Sequence, residues 1–403
     1  MSVANMVCKW DGNVTTPRGF KAAAAHCGLK RKRLDLALLY SELPAACAGA
    51  FTTNLVKAAP IRWSQKVVAG VVCRAVVINS GNANACTGPR GENDAARMAE
   101  MVAAKCGCAP EQVIVGSTGV IGVPLDMTKV KNGIDEAYDH LSAQGGQLAT
   151  EAILTTDTIP KHLAVEVRLS GGTVTLGGMA KGSGMIHPNM ATMMAYVTTD
   201  AQIEAASLQK ALSASVNRSY NMISVDGDTS TNDMTIVLAN GASGVVVASE
   251  EDMRVFQEAL DYINIELAKM IARDGEGATK LIEVCVEGAR SLEDARKIAR
   301  SISTSNLVKT AIFGEDANWG RVLCAAGYSG AQFVPDKVDI YLGDVQVAKQ
   351  GGSLPFDEAK AKLVLQKSDV RILLQLHDGE HNAIAWTCDF TYDYVKINAT
   401  YRS

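Results

Sequence analysis

The 403-residue sequence lacks most signatures that assign a protein at sight. It holds no stretch of the roughly 18 apolar residues that a membrane-spanning helix needs. Its opening, MSVANMVCKWDGN, has no apolar core long enough for a signal peptide. The expectation is a cytoplasmic chain. Aromatic residues make up only 5%, and no CxxC pair occurs, so the ten cysteines (8, 27, 47, 73, 86, 106, 108, 285, 324 and 388) read as reduced small hydrophobes, not as disulfides or zinc ligands. The net charge is −4 and no basic tail stands out, which argues against nucleic acid or an anionic membrane as partner. The one basic run, Lys30-Arg31-Lys32-Arg33, reads as a solvated face.

Chemical motifs are missing as well. There is no HExxH, and the pair His377 and His381 straddles a predicted turn at Asp378-Gly379, where solvated polar side chains are ordinary. No metal site is expected. GGMAKGSG has the wrong order for a phosphate-binding loop, since Gly182 follows Lys181, and the nucleophile elbow GxSxG is absent.

What is present is an alternation of strand and helix patterns around 35 glycines. VCRAVVINSGNANACTG (72–88) reads as a buried strand ending in a polar loop, followed by a helix in ENDAARMAEMVAAKCG and a second strand in QVIVGSTGVIG. Helical spacing returns at 127–143, 203–217 and in the long run EEDMRVFQEALDYINIELAKMIARDG, with Gly275 as its expected C-cap. Beyond about 280 the units change: KLIEVCVEGA, SLEDARKIARSIST and LVKTAIFG predict strand, helix, strand, and the end predicts antiparallel strands around Asp378-Gly379. The expected class is α/β in an α+β layered form, with a larger domain over 1–280 and a smaller α+β domain over 281–403.

One stretch resists an ordinary assignment: KGSGMIHPNMATMMAYVTTD, residues 181–200. A threonine, Thr192, directly follows a small residue, Ala191, at the seam between a glycine-rich turn and an apolar run. A side-chain hydroxyl is a poor nucleophile at neutral pH and needs a base; one recurring base is the amine of the same residue, once the preceding peptide bond is cut. An α-amine titrates at about 7.7–8.0 and a lysine at about 10.4, so near pH 7.5 roughly a third of such amines are neutral against roughly a thousandth of lysines. Spacing alone leaves open the plainer alternative, a threonine buried in an apolar element.

Seven separated motifs, in order along nearly the whole chain, resemble the ornithine acetyltransferase family, also called glutamate N-acetyltransferase or ArgJ. They are Asn79-Ser-Gly-Asn-Ala-Asn-Ala-Cys-Thr-Gly88, Ser117-Thr-Gly-Val-Ile-Gly122, Pro188-Asn-Met-Ala-Thr-Met193, Val225-Asp-Gly-Asp-Thr-Ser-Thr-Asn-Asp233, Asp274-Gly-Glu-Gly-Ala-Thr-Lys280, Phe313-Gly-Glu-Asp-Ala-Asn-Trp-Gly-Arg321 and Ile397-Asn-Ala-Thr-Tyr-Arg-Ser403. The resemblance implies a self-processing fold shared with DmpA-type aminopeptidases and a cut between Ala191 and Thr192, giving an α chain (1–191) and a β chain (192–403). It implies two α and two β chains in the assembly, and a tail that returns to the active site. Carried over by motif, Thr192 is the nucleophile and Thr118 with Gly119 forms the oxyanion hole. Thr155, Lys181, Thr192, Glu276, Asn398 and Ser403 contact substrate.

The implied reaction moves the acetyl group from N2-acetyl-L-ornithine to L-glutamate in the cyclic arginine pathway by a ping-pong route through acetyl-threonine, without a cofactor. Some members of the family also take the acetyl group from acetyl-CoA, and no residue of the sequence decides between the two. The rival reading is an aminopeptidase or amidase of the same self-cleaving fold, in which water takes the acyl group. A third, non-enzymatic reading has an uncut chain acting as a binding scaffold.

Overall fold

The computed structural model describes residues 6–187 and 193–400. Ala191, Thr192 and Ser403 lie outside them.

Apolar, β-branched and alanine-rich runs build the larger sheet. Its strands are β1 (Met6–Lys9), β2 (Phe20–Ala25), β3 (Leu36–Phe51), β4 (Val72–Asn82), β5 (Val113–Val120), β6 (Lys161–Leu169), β7 (Gly172–Lys181) and β8 (Met194–Thr199). After β9 (Ile223–Ser224), which belongs elsewhere, β10 (Met234–Ala239) completes it. Among the described residues the order is β1-β6-β7-β8-β10-β3-β4-β5, with β2 paired to β3. The sheet is mixed: β4 with β5 and β8 with β10 are parallel, while β7 with β8 and β10 with β3 are antiparallel. Strands β8 and β10 are buried at every position, the pattern of strands covered on both faces.

The second sheet gathers β9 with β11 (Leu281–Ala289), β12 (Asp339–Leu342), β13 (Val345–Lys349), β14 (Gly352–Ser353), β15 (Asp369–Gln375) and β16 (His381–Cys388), in the order β14-β13-β12-β15-β11-β16-β9. The helices are α1 (Ala59–Ala69), α2 (Gly88–Cys106), α3 (Met127–Asp139), α4 (Gly146–Ala152), α5 (Ala205–Arg218), α6 (Glu250–Arg273), α7 (Leu292–Thr304), α8 (Asn306–Phe313), α9 (Trp319–Gly327), α10 (Glu358–Leu365) and α11 (Tyr392–Thr400). Helix α6 carries a buried stripe, Phe256, Leu260, Ile263, Leu267 and Ile271, that joins one core with residues of both sheets. Ser249 caps its start by accepting the Asp252 N–H.

Four expectations are corrected. The run LVKTAIF forms a helix, α8, not a strand: Ser305 accepts the Val308 N–H as an N-cap, and Val308, Ala311 and Ile312 are buried at helical spacing. Short apolar runs fit either period, and here the cap decides. Strands β15 and β16 flank Asp378-Gly379 but do not pair; β11 lies between them, parallel to β15 and antiparallel to β16. After Cys388 the chain turns into α11, not a further strand. Helix α6 ends on Asp274, and Gly275 is not in the left-handed conformation that a glycine cap adopts. A Cβ at Gly275 would instead sit 2.7 Å from Cys388 Sγ, so close packing is what requires glycine there.

Candidate active site

The carboxyl ends of β4 and β5 open into the site. Gly119 has φ +131°, and an added Cβ would lie 2.4 Å from the Gly81 carbonyl carbon, so only glycine lets the two strands close here. The polar motif residues brace that close approach. Ser117 Oγ donates to Asn79 Oδ1 at 2.6 Å, and Asn79 Nδ2 donates to the Asn82 carbonyl at 2.8 Å. Asn232 reaches in from the 225–233 loop, its Nδ2 donating to the carbonyls of Ala83 (2.6 Å) and Ser117 (2.8 Å). These bonds position Thr118 on the rim of a cavity of about 270 Å³.

All six described candidates, Thr118, Gly119, Thr155, Lys181, Glu276 and Asn398, line that single cavity. They come from β5, the 153–160 segment, the end of β7, the loop after α6, and α11. Lys181 is 8% exposed, and its Nζ lies 3.4 Å from Thr118 Oγ1. Asn398 Nδ2 donates to Glu276 Oε2 at 2.8 Å, bringing α11 back to the cavity. Gly184 lies against the other side of the Glu276 carboxylate; a Cβ there would be 2.3 Å from its carbon. Ala191, Thr192 and Ser403 fall outside the described residues, but Met193, next after Thr192, lines the same cavity.

Beneath the cavity sits a buried ion cluster. Lys161 is fully buried, and its Nζ donates to Asp157 Oδ1 at 2.7 Å and Asp274 Oδ2 at 2.6 Å. Asp157 also accepts the N–H groups of Gly182 (2.6 Å) and Thr155 (3.0 Å). Burial pushes the Asp157 carboxyl up, but the cations Lys181 and Lys161 outweigh it and hold the group below the usual carboxylate range. Asp274 accepts from the N–H and hydroxyl of Thr158. One carboxylate thus ties Thr155 to the backbone that follows Lys181.

Sequence reasoning assigned no role to Asp157, Asn232, Asp226 or Tyr394. The motif VDGDTSTND carried a signal for two of them, an acidic and hydroxyl-rich run that no solvated helix would need. Asp226 accepts the N–H groups of Met185 (2.6 Å) and Ile186 (2.8 Å), holding the start of the 185–187 turn. Burial raises its carboxyl above the ordinary value despite those donors. Lys30 also departs from its expected solvated face: its Nζ donates to the carbonyls of Leu34 (3.0 Å), Ala152 (3.3 Å) and Leu154 (2.6 Å), and burial lowers it to about 8. His377, weighed earlier as a metal ligand, has its Nε2 3.1 Å from Asp339 Oδ2. Among the described residues no cluster of three metal-ligating side chains occurs, and no helix is long and apolar enough to cross a membrane.

A deep polar cavity in which an ammonium, a carboxylate, a carboxamide and hydroxyls converge is the site of an enzyme acting on small charged molecules. The family is specific. The ArgJ family model matches residues 21–403, and the chain belongs to that family. The arginine biosynthesis bifunctional protein ArgJ of Symbiobacterium thermophilum is 56% identical, over 97% of this chain and 99% of its own. Its Bacillus subtilis counterpart is 49% identical, over 99% of this chain and 98% of its own. The crystal structure of the bifunctional protein from Bacillus halodurans is 49% identical with a TM-score of 0.51, covering 52% of this chain and all of that one. The protein is an enzyme of arginine biosynthesis.

Proposed function

We propose that this enzyme transfers the acetyl group of N2-acetyl-L-ornithine to L-glutamate through an acetyl ester on Thr192, after cutting itself between Ala191 and Thr192. The observation that carries the reading is the convergence of Thr118, Gly119, Lys181, Glu276 and Asn398 on one cavity beside Met193. The size of the solved Bacillus halodurans chain supports the cut, because its whole length takes up 52% of this chain, about the share that residues 192–403 make.

In the uncut chain the Thr192 hydroxyl attacks the Ala191 carbonyl, the amide becomes an ester, and water hydrolyses it. The freed amine then takes the hydroxyl proton as Oγ attacks the acetyl carbonyl. Negative charge develops on the carbonyl oxygen beside Thr118 and Gly119, and one such donor is worth about 100- to 1000-fold in rate. The amine returns its proton to the leaving α-nitrogen of ornithine. Glutamate enters the same cavity and accepts the acetyl group. Because one amide is made as another is broken, the reaction uses no bound cofactor, and acetyl-CoA serves as the second donor that a bifunctional enzyme requires.

In this reading Lys181 holds the α-carboxylate shared by both amino acids, and Glu276 the ammonium end of ornithine. Ser403, which lies outside the described residues, joins the substrate contacts by the family resemblance alone. The working enzyme is a cytoplasmic assembly of two α and two β pieces. Ornithine release from acetyl-ornithine, measured with and without glutamate, tests the reading. Glutamate-dependent release is expected; release at the same rate without glutamate would make the enzyme an amidase.

A further inference from the structure

A second concave surface lies beside the catalytic cavity and shares none of its lining residues. It is an open groove of about 650 Å³ along one face of α7, closed at the far side by Tyr328 and Ser329 after α9. The face is cationic: Arg296, Lys297 and Arg300 project into it, against one carboxylate, Glu293, which pairs with Lys297 at 2.7 Å. In a chain of net charge −4 such a concentration of positive charge is local and specific. Burial lowers both guanidinium groups, and the other charge acting on Arg296 is the like charge of Arg218. Arg300 is held in place by donating to the Asn221 carbonyl at 2.9 Å and to His187 Nε2 at 2.9 Å. The His187 ring is kept uncharged by burial and by Arg300, which lower it to about 4.

The groove also offers a surface for a flat ring. Tyr328 is 62% and Leu292 42% exposed, and both line the groove. His187, on the groove, is two residues from Met185, on the cavity, a separation of at most about 7 Å of extended chain.

We propose that this groove binds the phosphorylated nucleotide end of an acetyl-coenzyme A donor, with the phosphates on Arg296 and Lys297 and the base against Tyr328, while its flexible arm carries the thioester into the catalytic cavity. The proposal rests on the acetyltransferase reading above. In the step it serves, the Thr192 Oγ–carbon bond forms and the thioester carbon–sulfur bond breaks. The hydroxyl proton passes through the Thr192 amine to the departing sulfur, so coenzyme A leaves as its thiol and the same acetyl ester is left for glutamate. Acetyl-ornithine carries no phosphate and has no use for the groove.

Coenzyme A and inorganic phosphate are titrated calorimetrically into the purified enzyme and into the double variant Arg296→Ala/Lys297→Ala, with steady-state kinetics for both donors alongside. Two lost charge contacts weaken coenzyme A binding and raise KM for acetyl-CoA about tenfold, and leave KM for acetyl-ornithine unchanged. The exposed single variant Lys297→Glu gives the same direction if the double variant unfolds. Equal coenzyme A affinity in wild type and variants overturns the proposal, as does an absence of coenzyme A binding to the wild type or phosphate binding as tight as coenzyme A. Should the wild type transfer acetyl from neither donor, the catalytic reading falls, while the titration still decides whether the groove binds coenzyme A.

Discussion

Two glycines show how closely the walls of the cavity approach one another. Gly119 combines φ +131° with a backbone 2.4 Å from where a Cβ would stand, so Gly119→Ala must both strain the strand and push β4 away from β5. We expect that variant to lose activity by about 100-fold or more, the scale of one misplaced oxyanion donor, measured as kcat with acetyl-ornithine and glutamate. Gly184→Ala meets the Glu276 carboxylate at 2.3 Å and should displace it from Asn398; the expected result is a higher KM for acetyl-ornithine with a smaller effect on kcat. Thr192→Ala should run as a single band of about full length on a denaturing gel, and two bands from it would end the self-cleavage mechanism. None of these positions could be gathered by spacing, since Thr118 and Asn398 are 280 residues apart and still meet at one cavity. Their assembly was legible only through the family resemblance. Asp157 was not legible at all, because a lone aspartate in TTDTIP carries no periodicity and its meaning lies in partners brought by other elements.

At the scale of elements, the ion cluster joins the start of β6, the end of α6 and the turn after β7. Removing one member leaves a buried charge uncompensated, which costs about 3–5 kcal/mol. Lys161→Met should therefore lower the denaturant midpoint strongly although it adds no bulk, read by equilibrium unfolding. Asp157 has a pH signature too. Its folded-state value is depressed, so its contribution is present above the unfolded carboxylate value of 3.8 and is lost as pH falls through the folded one. His187 behaves with the same sign for a different reason. Folding depresses its value from 6.5 to about 4, so stability is full above 6.5 and declines from there down to about 4, because the unfolded chain takes up the proton first. Over that window His187→Gln should flatten the fall of Tm with pH; an unchanged slope would place the ring in solvent. The elements that local pattern captured were those whose burial is one-sided or complete along a long run, such as β4, β5 and α6. Pairing was not captured: the turn at Asp378-Gly379 reads as a hairpin, but β11, a strand about 90 residues earlier, is inserted there.

For the whole molecule, the ten cysteines grade by accessibility. Cys86 and Cys324 are exposed, while burial raises the thiols of Cys47 and Cys73, the former to about 12. In the folded enzyme a thiol reagent should label Cys86 and Cys324 first, with Cys47 and Cys73 released only by denaturant; early labelling of the buried pair would contradict the packing of β3 against β4. The apolar runs around them read as small hydrophobes, but only Cys47, Cys73, Cys285 and Cys388 are buried, and composition gave no means of telling which two face solvent.

The order of strands gives a scission ahead of Thr192 an unusual mechanical outcome. Strands β8 and β10 would belong to the downstream fragment, yet β7 on one side and β3 on the other belong to the upstream fragment. The severed halves are therefore interleaved like the boards of a laminate, and prising them apart would mean breaking two seams in mid-panel at once. Loss of a single covalent link would leave them inseparable short of denaturation, and fragments made separately would have to co-fold before either had a complete centre.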